Sequence, residues 1–293
     1  LVFDLEQASH IASQLGLDEH GLRLVRIPGG DIAEAWLLAA VKVRIFLKTL
    51  PLARAGLLSS EAAGLKALAK TGEIRVPKVI GRDVIGQVAW LALEYIEMDP
   101  RNEQCDAALG QSLARLHRHN NDSFGWHRDN FIGKTPQPNP RLADWSEFFL
   151  WHRLGFQLDR LNEQYPEAGW SGFQTPLFES WQRRFHDHKP EPALIHGDLW
   201  SGNAAMTQGA KPVIFDPAVH YADRECDLAM TRLFGGFSER FYQAYESTWP
   251  LPEGHAQRLP YYQLYHLLNH ANLFGGGYLA RSHTEIQQLL KQI

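Results

Sequence analysis

In the stretch LIHGDLWSGN, residues 194–203, Asp198 stands two residues after a histidine and five before Asn203. A second fragment, PVIFDPA at 212–218, runs three apolar residues into Asp216. Two carboxylates and an amide, each at the end of a short buried strand, suit a site that holds a hard cation and handles one proton. Phosphoryl transfer to a hydroxyl needs such a set: a base for the hydroxyl proton, and oxygen ligands for the Mg²⁺ that bridges the phosphates of a nucleotide. Asp198 is read as the base, with Asn203 and Asp216 as the metal ligands. The Asp-to-Asn spacing equals that of the protein-kinase catalytic loop, where the same two residue types perform these tasks.

The first half of the chain carries what ATP would require. Lys48 closes the apolar run VRIFLK, where a lysine could reach the α- and β-phosphates. Glu61 follows thirteen residues later, near the start of a helical pattern, and could hold that lysine by an ion pair. Taken alone, the two would be a surface lysine at a strand end and an acid favoured by a helix dipole; the downstream set tips the reading to function. Gly29 and Gly30, in RIPGGDIAEAW, could let backbone N–H groups approach phosphate oxygens, although a hairpin turn uses the same residues. Neither G-x-G-x-x-G nor G-x-x-x-x-G-K-[ST] occurs there, which argues against a Rossmann site and a P-loop ATPase. In LALEYIEM, Glu94, Tyr95 and Ile96 would lead from a strand into a linker whose backbone could hydrogen-bond adenine, the alternative being an ordinary edge strand.

The elements that must position these groups follow from periodicity. FDLEQASHIASQLGL predicts a short first helix. LRLVRIPGG, AEAWLLAA, VKVRIFLKTL and QVAWLALEYI read as strands. Between the last two lies SSEAAGLKALAKTG, a helix entered through Ser and ended by Gly72. From about residue 100 the apolar spacing is mostly helical, in DAALGQSLARLHRH, DWSEFFLWHRLGFQLDRL, TPLFESWQRRF, ERFYQAYEST and one long PYYQLYHLLNHANLFGGGYLARS. KTPQPNPR at 134–141 reads as a surface loop. The expected architecture is α+β and bilobal: residues 1–97 form a nucleotide-binding lobe, an antiparallel sheet with one crossing helix, and 98–293 form a larger, mostly helical catalytic and substrate-binding lobe.

Composition narrows the function classes. A net charge of −4 and the lack of a Lys/Arg block leave no footprint for nucleic acid. Cys105 and Cys226 are too few for a disulfide framework or a thiolate metal site. No apolar stretch reaches membrane-spanning length, and LVFDLEQASH lacks the make-up of a signal peptide, so a cytoplasmic protein is expected. The opening Leu points to a native start upstream. His117, His119, His127 and His152 make no convincing metal set, and His196 is read as tying its loop to neighbouring backbone.

The ordered fragments GGDIAEAW, FLK, VPKVI, LARLH, FGWHRDNFIG, TPQPN, LIHGDLWSGN, IFDPA, DRECDLAM and YQLYHLLNHANLFGG span nearly the whole chain. On them the sequence resembles the fructosamine kinase (ketosamine-3-kinase) family, a branch of the protein-kinase-like fold that also holds aminoglycoside phosphotransferases. The resemblance implies the roles already given to Lys48, Glu61, Asp198, Asn203 and Asp216, and makes Asp227 an anchor under the catalytic loop. It implies that Trp200 packs against the sugar-like substrate; a flat ring two residues past the base can stack on a sugar, whereas burial is the usual fate of Trp. The implied activity is that of a phosphotransferase with an alcohol acceptor, using ATP and Mg²⁺ on C3 of a small-molecule ketosamine or a glycated protein lysine and promoting deglycation. Gly197 replaces the Arg of protein kinases, and ten residues separate Asp216 from Asp227, too few for a long activation segment. Unswitched catalysis on a small acceptor is therefore expected. The alternatives are a kinase for another hydroxylated amine, such as an aminoglycoside, and a silent nucleotide-binding module.

Overall fold

A computed structural model describes residues 3–18, 20–28, 32–41 and 43–291. Helix α1 (Leu5–Gln14) opens with a capping box between Asp4 and Gln7. Strands β1 (Arg23–Ile27), β2 (Glu34–Ala40), β3 (Val43–Pro51), β4 (Val79–Ile85) and β5 (Val88–Glu94) form one antiparallel sheet in the order β1-β2-β3-β5-β4. β5 is apolar on successive residues because both its faces are covered. Ala8, Ile11 and Ala12 of α1 pack with Ile45, Leu47, Trp90 and Ala92 on one face. Leu58, Ala62 and Leu65 of α2 (Ala55–Thr71) pack with Ala89, Leu91 and Leu93 on the other. The sheet is thus held between two helices. β4 was missed by periodicity: it is an edge strand, mostly exposed, with a register irregularity between Val79 and Gly81 that breaks alternation.

Helix α2 also corrects an expectation. It starts at Ala55, out of a short 3₁₀ turn after β3, with no side-chain cap, so Ser59 and Ser60 lie inside it and Glu61 falls on its middle turns. Packing against the sheet overrides the local capping signal. Its end is as read, at Gly72 with φ 72°.

The helical half contains α3 (Glu103–Leu116), capped by Asn102, and the short hairpin β6 (Asn130–Ile132) and β7 (Thr135–Gln137). The single helix expected over 144–161 is α4 (Trp145–Phe149), a π-helical segment (Leu150–Gly155) and α5 (Phe156–Gln164), followed by α6 (Gln174–Phe185). Strands β8 (Ala193–Ile195), β9 (Ala204–Thr207), β10 (Lys211–Ile214) and β11 (His220–Ala222) form two small antiparallel pairs, the hairpin β9 with β10 and, flanking it in the chain, β8 with β11. Next come α7 (Glu225–Leu233), which apolar spacing had not singled out, and α8 (Glu239–Thr248). The long C-terminal pattern is two helices, α9 (His255–Phe274) and α10 (Gly277–Lys291), parted at Gly275, whose φ is 61°. Stacked rings, among them Phe149, Trp181 and Phe185, fill the core beneath.

The 134–141 segment is not a surface loop throughout. Gln137 and Asn139 are buried. The Gln137 amide donates to Asn130 and to the Ala218 carbonyl, and that of Asn139 donates to Asn130. Buried backbone carbonyls need donors, and a hydropathy pattern does not show that these amides supply them.

His266, on the buried face of α9, has its ring pushed down to about 3 by burial, aided by His270 and Arg153. An unfolded chain binds this proton near pH 6.5, whereas the folded one does so only near 3, so the group lowers stability as pH falls through that window. Between pH 7.5 and 5.5 the loss from His266 should be about 1.4 kcal/mol. Urea unfolding of the wild type and of His266→Gln at both pH values checks this: the variant should lose less stability on acidification, and equal losses would contradict it.

Candidate active site

Strand β8 delivers the loop that carries Asp198. Its approach is held by Asp227 in the first turn of α7, which accepts the His196 N–H and the Gly197 N–H, both at 2.8 Å. His117 Nε2 lies 3.1 Å from the same carboxylate, and its Nδ1 lies 2.8 Å from the Tyr245 hydroxyl. Burial alone would raise the Asp227 carboxyl, but His117, His196 and the Gly197 N–H outweigh it and hold it below its ordinary value. Gly197 has φ 83°, and a Cβ there would sit 2.2 Å from the Ala218 carbonyl oxygen. That close approach excludes any side chain at the position where protein kinases carry an arginine. His196 Nε2–H donates to the Phe215 carbonyl at 3.0 Å, so its ring ties the two aspartate-bearing segments together. Its Nδ1 is then the acceptor for the Asp198 N–H, at 3.3 Å.

The 3₁₀ turn at Ser201–Asn203 folds the loop back, so that Asn203 Nδ2 donates to the Asp198 carbonyl at 2.9 Å and lies 3.4 Å from its carboxylate. The amide nitrogen is spent on the loop, and the group that Asn203 can offer a cation is its oxygen. Burial pushes the Asp198 carboxyl up to about 7, with Asp216 and Asp227 adding to the rise and Asn203 opposing it. Such a group exchanges a proton near neutrality.

Across the cavity, Lys48 Nζ donates to Glu61 at 2.8 Å and to Asp216 at 2.5 Å. Burial would depress the lysine, but the two carboxylates outweigh it and its pKa is raised. Lys48 stays charged. Burial drives Glu61 upward, Lys48 opposing and Asp216 adding. Asp216 adopts φ 56°, uncommon for a residue with a side chain and a mark of functional sites. Its side chain is 46% exposed. Helix α2 approaches this segment through Gly64, whose missing Cβ would lie 3.1 Å from Pro217 Cγ. Asp216 and the oxygen of Asn203 form a hard-oxygen donor pair suited to Mg²⁺.

Lys48, Glu61, Asp198, Asn203 and Asp216 line one cavity of about 1280 Å³ between the sheet and the helical half, together with Glu94, Tyr95, Ile96 and Trp200. Glu94 is bound sideways, its carboxylate to Arg75 at 2.7 Å and its N–H to the Lys78 carbonyl at 2.8 Å. Tyr95 and Ile96 follow the last ladder pair and are the linker positions left for a ligand. Gly29 and Gly30 lie outside the described residues. Trp200 is 41% exposed, its ring lying against Gly202. Sequence reasoning missed Arg101, which donates to the Ser201, Ala204 and Gly236 carbonyls and pairs with Asp106, clamping the end of the Asp198 loop. Its location in the linker carried no motif. It also assigned no role to Phe234, His270 or Tyr278, which line the same cavity.

An antiparallel sheet over a helical half, with a buried lysine facing two loop aspartates across the cleft, defines a bilobal protein-kinase-like fold. A ternary complex of an aminoglycoside phosphotransferase with streptomycin and ATP shares it at TM-score 0.64 and 14% identity, over 98% of this chain and 97% of that one. The fructosamine kinase family model matches residues 5–292. A probable ketoamine kinase of Synechocystis is 43% identical over 91% of this chain and 88% of its own. A crystal structure of a Haemophilus somnus protein, provisionally named a fructosamine-3-kinase, superposes at TM-score 0.86 with 29% identity, over 97% of this chain and 96% of that one. The chain belongs to the fructosamine kinase family. Among the described residues, no helix is long and apolar enough to cross a membrane.

Replacing Asp227 with Ala would leave two buried N–H groups and His117 without their acceptor. The variant should lose about 3–5 kcal/mol of stability. Urea denaturation measures this, and a loss under about 1 kcal/mol would contradict the anchoring role.

Proposed function

We propose that the protein is an ATP- and Mg²⁺-dependent kinase that phosphorylates the sugar-derived hydroxyl, at C3, of a ketosamine. The carrying observation is that Lys48, Glu61, Asp198, Asn203 and Asp216, spread over 169 positions, line one cavity in a member of the fructosamine kinase family. Lys48, held by Glu61, would hold the α- and β-phosphates, and the Tyr95–Ile96 backbone would meet adenine. Asp216 and the amide oxygen of Asn203 would hold Mg²⁺, which would supply positive charge to offset that of the phosphates. Asp198 would orient the acceptor hydroxyl and take its proton as the new P–O bond forms, while Trp200 offers its exposed face to the sugar. Positioning and charge neutralisation supply most of such catalysis. After the C2 ketone of such a product enolises toward C1, the C3 phosphate would leave as inorganic phosphate and water would hydrolyse the resulting C1 imine to release the amine, so the reading extends to deglycation of small ketosamines or of glycated lysines.

An aminoglycoside acceptor has less support. A polycation needs free carboxylates, yet Glu61 and Asp216 pair with Lys48, and Glu94 pairs with Arg75.

ATP consumption with Mg²⁺ over a fructosyl-amine, a ribulosyl-amine, an aminoglycoside and a hydroxyl-free amine tests the reading; turnover should require a ketosamine. Asp198→Ala should lower kcat about 10²- to 10⁴-fold while thermal stabilisation by ATP persists. Near-full activity in that variant would remove Asp198 as the base, and turnover of the aminoglycoside alone would overturn the substrate class.

A further inference from the structure

One wall of the cavity is built from rings. His270 on α9 is the hub: its centroid lies 4.9 Å from that of Phe234, 5.1 Å from that of Tyr278 and 5.7 Å from that of Phe274. Phe274 and Tyr278 are 6.1 Å apart. His270 Nδ1–H donates to the His266 carbonyl at 2.8 Å, which fixes the orientation of the ring. All four side chains line the cavity that holds Asp198 and Trp200. The loop bearing Phe234 is tied to the catalytic loop, because Arg101 donates both to the Gly236 carbonyl and to that of Ser201. Phe274 is 57% exposed. A large apolar ring left in water on a cavity wall gains from a ligand that covers it.

The charge pattern says what kind of ligand that is. Among the described residues, four carboxylates line the cavity. Glu61 and Asp216 face Lys48, Glu94 faces Arg75, and Asp198 is the proposed base. A cationic group placed beyond Asp198 therefore meets ring faces rather than a free counter-ion, and aromatic faces attract cations at distances up to about 6 Å. Arg281 lies 6.0 Å from the Phe234 centroid, so that ring already serves a cation and the faces of Phe274 and Tyr278 are the ones left for a ligand. Burial pushes His270 below its ordinary range, with Arg281 adding to the effect, so the hub is neutral and does not repel a positive ligand.

We infer that Phe234, His270, Phe274 and Tyr278 form the subsite for the nitrogen end of the substrate, taking the cationic secondary ammonium of a ketosamine and the first carbons of the chain attached to it. The inference rests on the ketosamine-kinase reading above. It makes these residues determinants of specificity: the sugar end is read at Asp198 and Trp200, and the amine end by rings. A single ammonium with an apolar stem fits this wall, whereas a group with several cations meets no matching acids.

The test compares two acceptors with the same sugar: an N-alkyl fructosamine, and the ether in which oxygen replaces the basic nitrogen. Wild type should show the lower KM for the amine. Phe274→Leu, which keeps bulk but removes the ring, should raise KM for the amine roughly three- to thirtyfold. It should leave KM for the ether and for ATP within about twofold, and Phe274→Tyr should restore the preference. Phe274 is largely exposed, so these variants should melt with the wild type; Tyr278→Leu gives an independent second position. Turnover of both acceptors with an amine-to-ether ratio unchanged in Phe274→Leu and Tyr278→Leu would overturn the subsite while leaving the kinase reading intact. No turnover of either acceptor by the wild type, with ATP still bound, would overturn the ketosamine reading and the subsite with it.

Discussion

Asp227 sits where water cannot reach it, and its carboxylate holds the start of the Asp198 loop by two backbone N–H groups while facing the His117 ring. An isolated buried carboxylate would be expensive, and it is tolerated because both oxygens are hydrogen-bonded. The rest of the site follows from this. With His196 and Gly197 pinned, the loop must turn at Gly197 with a positive φ, against the Ala218 carbonyl. Asp198 then projects into the cleft and Asn203 folds back onto it. The His196 ring carries the same constraint across to Phe215, next to Asp216. One carboxylate thus sets the relative position of both loop aspartates.

A second set of contacts joins the two halves. Lys48 comes from the central sheet, Glu61 from α2 and Asp216 from the helical half, so a single ammonium bridges all three. Gly64 lets α2 settle on Pro217. Nearby, the Ile214 N–H donates to the Arg75 carbonyl, and Asp99 and Met206 exchange backbone hydrogen bonds. These are short-range, directional backbone bonds. The strain at Asp216 is sustained because neighbouring residues over-determine its segment.

Charge in the cleft is unevenly shared. Asp216 and Asp227 both act on Asp198, and Lys48 is in direct contact with Asp216. Asp227 is satisfied by N–H donors and Asp216 by Lys48, while Asp198 is left with a raised pKa. Environment divides like groups into a buried anchor, a lysine-paired carboxylate and a carboxyl that exchanges its proton near neutrality.

Much of this was legible in the chain itself. Alternating apolar runs marked four of the five sheet strands, because a strand shows its buried face every second residue. Helical spacing marked α1, α2, α3 and α6, and an Asp five residues before an Asn marked the loop. Spacing could not tell where α2 begins, since packing on the sheet, not Ser59 or Ser60, sets its start. It could not find β4, an exposed edge strand whose alternation is broken at Gly81. Nor could it reveal that Gln137 and Asn139 are buried, that Arg101 clamps the loop, or that Phe234, from the loop after α7, and Tyr278, beyond the helix break at Gly275, both meet His270. Local sequence determines which backbone conformations are favourable and which faces are apolar. Which distant residues satisfy one buried carbonyl, or share one cavity wall, depends on long-range packing, and only the tertiary structure decided it.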